Sequence, residues 1–307
     1  MLLSEFVRRS TRALTGLYPE AEASGLVAML VEEVTGFKRY TPVIEPRTVV
    51  PGAKEAFLRE AVDRLAAGEP IQYILGYADF CGLRLRVAPG VLIPRPETEM
   101  LVAAASAVLS TASPCHSERS AAESRNLLPA ARVLDLCTGS GCIAWALAAR
   151  HPGLQVTGVD ISPEALALAA SQRDYLASRH QPVPAASAVT FLRADILADP
   201  PSAARGFDLI TANPPYVPEA DRAQMRPNVL EHEPALALFV PDADPLRFYR
   251  AIARWAQALL APGGHGIVEI HEAYGPATAA LFAAAGFSDV RILPDFAGRD
   301  RFVVFSR

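Results

Sequence analysis

The residues best placed to do chemistry lie in Asn213-Pro214-Pro215-Tyr216, at the end of the apolar run Phe207-Asp208-Leu209-Ile210-Thr211-Ala212. Proline cannot donate to a sheet ladder, so a strand that delivers Asn213 has to stop there. Each proline also pushes the residue before it into extended geometry, which leaves carbonyls partly free. The product is a stiff corner showing one side-chain amide, two main-chain acceptors and an aromatic face. Such a corner suits a flat group that carries hydrogen-bond donors. Asn213, Pro214, Pro215 and Tyr216 are therefore the expected substrate-binding set, with Asn213, Pro214 and Tyr216 as expected catalytic residues.

A second group indicates what would react there. Asp135-Leu136-Cys137-Thr138-Gly139-Ser140-Gly141 joins a predicted strand to a predicted helix. Glycines at 139 and 141 let a ligand approach the backbone, and the helix N-terminus behind them offers unpaired N–H groups. Asp160 ends the next strand, nineteen residues past Gly141, where a carboxylate accepts paired ribose hydroxyls. Gly139-x-Gly141-x-x-Ala144 also satisfies a dinucleotide fingerprint, but Asp135 would repel a pyrophosphate and hold a cationic amino-acid end. Asp195, in Arg193-Ala194-Asp195-Ile196, either accepts from an adenine amino group while Ile196 packs on the ring, or caps N–H groups in its own loop. Carboxylates after three successive strands, then Asn-Pro-Pro-Tyr after the fourth, describe an S-adenosylmethionine pocket at the C-terminal edge of a sheet. The expected cofactor-binding residues are Asp135, Cys137, Thr138, Gly139, Ser140, Gly141, Asp160, Ile161, Asp195, Ile196 and Asn213.

These residues need a frame, and the periodicity supplies one. From residue 131 onward strands alternate with helices: 132–136 strand, 142–150 helix, 154–159 strand, 163–178 helix opened by Ser162 as cap and Pro163 at its first position. Strands follow over 189–192, 207–212 and 266–270, with helices over 245–260 and 276–285, and 287–293 and 301–305 close the chain as an antiparallel pair. This alternation predicts an α/β fold with a mostly parallel sheet covered on both faces. Residues 1–75 read as helical; Leu26, Leu30 and Val34, with Val27 and Val31 beside them, form one helix-period stripe, and Phe57, Leu58, Val62 and Leu65 another. A hairpin over 76–94 is expected to link this N-terminal module to a catalytic domain over 95–307. Residues 111–130 carry no periodic stripe and read as a solvated, flexible insertion.

Ile93-Pro94-Arg95-Pro96-Glu97-Thr98-Glu99 precedes a helix pattern. Glu97 or Thr98 is expected to cap it, while Arg95, locked between two prolines, either orients a substrate together with Glu97 or serves structure alone. Glu269 reads as a hydrogen-bonded strand-end carboxylate.

Composition narrows the function classes. Net charge is −4, and only Lys38 and Lys54 among the 29 basic residues are lysines. No basic stripe for gripping long nucleic acids is present, and Arg8, Arg9 and Arg12 read as a solvated helix face. The four cysteines fit neither a zinc spacing nor a secreted disulfide framework. Together with the lack of a signal-peptide core or membrane-length apolar run, this leads us to expect a cytoplasmic protein with free thiols and no metal.

At this point a resemblance emerges. Residues 68–76 (Gly-Glu-Pro-Ile-Gln-Tyr-Ile-Leu-Gly), 92–99, 133–143, 158–165, 208–217 and 295–301 (Asp-Phe-Ala-Gly-Arg-Asp-Arg) are similar to the release factor glutamine methyltransferase family, itself similar to amino-methyltransferases that modify adenine. The Pro-Arg-Pro-Glu-Thr-Glu run together with Asn-Pro-Pro-Tyr is specific to the glutamine enzymes. The resemblance implies a class I S-adenosylmethionine-dependent methyltransferase fold, Rossmann-like with a seven-stranded sheet, behind a small N-terminal helical bundle. It further implies methylation of the glutamine in the Gly-Gly-Gln loop of class I peptide chain release factors, with the helical bundle helping to receive that substrate. A monomer without stable nucleic-acid binding is expected. Departures are Asp244-Pro245, where Asp-Gly is common in the family, and Glu269-Ile270-His271, where Glu-Ile-Gly is usual. The alternatives are a ribosomal-protein glutamine methyltransferase, a DNA or RNA adenine amino-methyltransferase, a silent binding module on the same fold, and a nicotinamide dehydrogenase.

Overall fold

A computed structural model describes residues 1–112, 131–181, 183–201 and 205–307. In chain order it begins with α1 (Leu3–Leu14), α2 (Glu20–Thr35), α3 (Thr41–Ile44), α4 (Gly52–Ala66) and α5 (Ile71–Leu75). The hairpin β1 (Tyr77–Phe80) and β2 (Leu83–Arg86) follows, then α6 (Thr98–Ala112), β3 (Arg132–Leu136), α7 (Cys142–Arg150), β4 (Gln155–Asp160) and α8 (Pro163–Ser178). The remainder is β5 (Ala188–Arg193), β6 (Phe207–Ala212), β7 (Val217–Pro218), α9 (Pro227–His232), β8 (Phe239–Val240), α10 (Arg247–Leu259), β9 (Leu260–Glu269), α11 (Gly275–Ala284), β10 (Ser288–Pro294) and β11 (Asp300–Ser306).

The chain divides into two compact units, residues 1–77 with 225–233, and residues 78–224 with 234–307. Two details differ from the expected division. The hairpin falls almost wholly in the second unit instead of forming a linker, and α9, far along the chain, groups with the N-terminal helices. Most of the expected insertion at 111–130 lies outside the described residues.

In the first unit the helix-period stripes close a core of Leu3, Phe6, Leu14, Val27, Leu30, Leu58 and Leu65. α2 ends where Gly36 turns left-handed and its N–H returns to the Glu32 carbonyl, an αL cap that a Cβ would penalise. Arg226, leading into α9, reaches Glu22 of α2 at 2.7 Å.

The second unit is built on a seven-stranded sheet of order β10-β11-β9-β6-β3-β4-β5. β9, β6, β3, β4 and β5 are mutually parallel, and β11 runs antiparallel to both β9 and β10. Helices cover both faces, with Trp145 of α7 buried against one and Trp255 of α10 against the other. Beside the sheet, β2 is held by a helix instead of a third strand. The Gln172 side chain of α8 accepts from Arg86 N–H at 2.9 Å and donates to the Arg86 carbonyl at 2.8 Å, imitating a ladder partner. Gln181 does the same for Arg84 and Gly82.

Register positions the chemistry. Leu136 lies opposite Val159 and Ala212, Val159 opposite Leu192, and Ala212 opposite Val268. The next residue of each strand or turn therefore emerges in one row: Cys137, Asp160, Arg193, Asn213 and Glu269. The chain leaves β3 for β4 and β5 on one side and returns to β6 on the other. That reversal opens a crevice at the carboxyl ends, where open α/β sheets bind ligands.

Candidate active site

A cleft opens at that row of strand ends. Cys137, Gly139, Asp160, Ile161, Asp195, Ile196, Asn213 and Pro215 line it, with Leu92, Leu236 and Phe248 among the apolar walls. Among the described residues, this lining holds two carboxylates and no Lys, Arg or His. A pyrophosphate would meet no counter-charge here; a ligand with positive charge and hydroxyl donors fits.

The carboxylates are held by backbone. Asp160 accepts from Gly139 N–H through Oδ2 at 2.8 Å and from Ser162 N–H through Oδ1 at 2.9 Å, so both oxygens are aimed and each keeps a lone pair. Burial raises its pKa, opposed by N–H donors from Ser162, Gly139 and Ile161. Asp195 Oδ1 accepts from Leu197 N–H at 2.9 Å. It thus does cap its own loop, while still lining the cleft. Cys137 sits at φ +57°, a conformation costly for a side chain and concentrated at functional turns. Its thiol is pushed up by burial and by the charges of Asp160, Asp135 and Asp195.

Several expected cofactor residues are placed behind the cleft wall instead. Asp135 is wholly buried; its oxygens accept from the hydroxyls of Thr138 at 2.5 Å and Thr211 at 2.7 Å. Direct contact with a cationic ligand is therefore corrected to a charge held one layer back. Burial pushes its pKa up to about 7, against the two hydroxyl bonds. Thr138 and Ser140 are likewise buried. The two glycines divide their work: a Cβ on Gly139 meets nothing within 4 Å, whereas one on Gly141 lies 3.0–3.2 Å from Trp145, Ala169 and Phe191. Gly141 serves close packing, not ligand approach.

On the other side of the cleft the Asn-Pro-Pro-Tyr turn is held by side chains. Asn213 Nδ2 donates to Thr98 Oγ1 at 3.2 Å, and the Thr98 hydroxyl reaches Glu269 Oε2 at 2.7 Å. Tyr216 donates its hydroxyl to Glu269 Oε1 at 3.0 Å. Glu269 is 1% exposed; burial raises its pKa, opposed by the Thr98 and Tyr216 bonds and the Arg301 charge. Thr98 thus works through its hydroxyl at strand ends remote in sequence, a use that its position at the start of α6 had masked. Pro214 is buried, and neither it nor Tyr216 lines the cleft. Arg95 and Glu97 also lie off the cleft lining, with Arg95 half-buried and Glu97 exposed; the charge of Arg95 acts on Tyr216 and that of Glu97 on Glu269. His271 pairs with Asp221 at 3.2 Å. Among the described residues no group of three or more His, Cys, Asp or Glu is placed to hold a metal ion, and no helix is long and apolar enough to cross a membrane.

Known proteins match this chain at both units. The family described as "PrmC N-terminal domain" matches residues 5–76, and "Methyltransferase domain" matches residues 133–232. A release factor glutamine methyltransferase of Bacteroides thetaiotaomicron is 38% identical over 305 residues, covering 99% of each chain. The chain belongs to the release factor glutamine methyltransferase family. Family members from Geobacter sulfurreducens (41% identical, 81% of this chain and 77% of that one) and Cereibacter sphaeroides (36%, 96% and 97%) agree. One cleft thus has a carboxylate-lined side, with Asp160 and Asp195, and an amide-bearing turn, with Asn213.

Proposed function

We propose that this chain transfers a methyl group from S-adenosylmethionine to the side-chain amide nitrogen of the glutamine in the Gly-Gly-Gln motif of class I peptide chain release factors. The observation that carries the reading is that Asn213 and Asp160 line the same cleft. The methyl donor and an amide acceptor would therefore meet without rearrangement of the sheet. When bound, S-adenosylmethionine supplies an electrophilic methyl on a positively charged sulfur. Asp160 would hold ribose hydroxyls on its remaining lone pairs, and Asp195 Oδ2 would accept from the adenine amino group beside Ile196. Asp135 would favour the cationic end through the protein interior, where charges are weakly screened.

A carboxamide nitrogen is a poor nucleophile because its lone pair is delocalised into the carbonyl, and it carries two N–H donors. Asn213 Oδ1 and the Pro214 carbonyl would accept those two hydrogens and turn the lone pair toward the methyl, so that the N–C bond forms as the S–C bond breaks, the thioether leaves and one amide proton is lost to water. Positioning of this kind is worth ~7–11 kcal/mol when alignment is good. Tyr216, its hydroxyl anchored on Glu269, would stiffen the turn and exclude water from one side. The test is to incubate the protein with labelled S-adenosylmethionine and, separately, a release factor, its Gln→Ala variant in the Gly-Gly-Gln loop, ribosomal proteins and DNA. Label on the release factor but not on its variant is expected. Label on DNA or a ribosomal protein alone would overturn the substrate assignment.

A further inference from the structure

We propose that Thr98 and Glu269 are positioning residues whose hydrogen-bond direction decides which end of the Asn213 amide faces the substrate, and so selects a carboxamide over a carboxylate. The inference rests on the substrate assignment above.

A hydroxyl has one hydrogen to give, and an ionised carboxylate has none. Glu269 already accepts from Tyr216 at 3.0 Å, and its second oxygen lies 2.7 Å from Thr98. The Thr98 and Tyr216 hydroxyls and the Arg301 charge favour the ionised form of Glu269 against burial; in that form the Thr98 hydrogen points at Glu269, which leaves only lone pairs on the side facing Asn213. An amide nitrogen can meet those lone pairs; an amide oxygen cannot. The 3.2 Å contact is thus Nδ2 to Oγ1, and Oδ1 is turned away from Thr98. Thr98 and Glu269 are each 1% exposed, so bulk water has no access to break the sequence of donors. The network, not the electron count of the amide, dictates the orientation.

Reversal would have a chemical consequence. With Oδ1 presented, an incoming carboxamide finds an acceptor for its N–H, while a carboxylate meets another oxygen. If the amide were free to turn, Nδ2 would face the substrate, repel the carboxamide donors and welcome a carboxylate. A buried donor or acceptor left mismatched in this way carries its full desolvation penalty.

The experiment uses the full-length protein, labelled S-adenosylmethionine, and a release factor carrying either Gln or Glu at the third position of its Gly-Gly-Gln motif. Thr98→Val keeps the shape and removes the hydroxyl, Thr98→Ser keeps the hydroxyl, and Glu269→Gln leaves a single acceptor oxygen for the Thr98 and Tyr216 hydroxyls. Thr98→Val is expected to lower kcat by about 10- to 100-fold with the cofactor Kd unchanged, while Thr98→Ser restores kcat to within about threefold of wild type. Inhibition by the Glu-bearing release factor, weak for wild type, is expected to strengthen at least ~5-fold against both Thr98→Val and Glu269→Gln. Should Thr98→Val not fold, as circular dichroism would show, Glu269→Gln decides by the same inhibition ratio. A wild-type protein that labels the release factor, with variants showing unchanged kcat and unchanged ratio, overturns the relay alone. A wild-type protein that leaves the release factor unlabelled overturns the relay and the substrate assignment together.

Discussion

The two walls of the cleft are built by different means. On the Asp160 side, carboxylates are fixed by main-chain N–H groups of neighbouring turns, Gly139, Ser162 and Leu197. On the Asn213 side, the amide is fixed by side chains from two other places, Thr98 and, through it, Glu269. Backbone donors do not depend on the side chain of the residue that carries them, so the first wall needs its acidic residues and the geometry of its turns. The second wall depends on each hydroxyl and carboxylate being present, because a single missing hydrogen leaves a buried group unpaired. Under the proposed function, the binding surface for the methyl donor would rest on the fold, and discrimination between substrates on individual side chains.

The contrast is breakable. Asn213→Ala is expected to lower turnover by ~10²–10³-fold, the usual loss for one preorganised hydrogen-bonding group at a reacting centre, while titration calorimetry finds cofactor affinity within about threefold of wild type. A parallel loss of cofactor binding would mean that the two walls are not separable.

The Asp135 carboxylate offers a test through stability. Its folded pKa of about 7 lies above the ordinary 3.8, so the native state keeps a proton that the unfolded chain has released. Stability from this group is therefore greatest at acidic pH and falls as pH rises toward 7, levelling above it. The expected loss is about 3 kcal/mol between pH 5 and pH 8. Urea unfolding should show that Asp135→Asn removes this decline; parallel curves for the two proteins would contradict it. A bound cation nearby should lower the Asp135 pKa, so cofactor affinity should rise across the same pH window in wild type and stay flat in the variant.

The smallest effect is expected from Asp160→Asn. The carboxamide keeps one oxygen for one loop N–H, sets its NH2 against the other, and offers one acceptor fewer to ribose hydroxyls. Cofactor Kd should weaken by about 10-fold, with kcat at saturating cofactor within about threefold. A kcat defect at saturation would place Asp160 in the chemical step and blur the division of labour.

The same division explains what could be read from the chain. Strand 132–136, strand 207–212 and the helix over 163–178 with its Ser162 cap stand where local pattern puts them, because each signal sits within one element. Asp160 was legible because the loop that binds it follows the preceding strand. Glu269 was legible as a hydrogen-bonded strand-end carboxylate, but its pairing with Thr98 was not, since the two stand 171 positions apart and meet only through the register that sets Val268 beside Ala212. Gly141 shows the converse: its fingerprint position suggested ligand approach, but the ring of Trp145 and the side chains of Ala169 and Phe191 fill the space a Cβ would need. The membership of α9 in the N-terminal unit also had no local signal, because grouping with remote helices leaves no period in sequence.

Fragment-ion mass spectrometry of a release factor after incubation with the protein and S-adenosylmethionine tests the central claim most directly. The account predicts one added methyl group on the side-chain nitrogen of the Gly-Gly-Gln glutamine, absent with Asn213→Ala. A methyl group on any other residue, or its undiminished transfer by the variant, would contradict it.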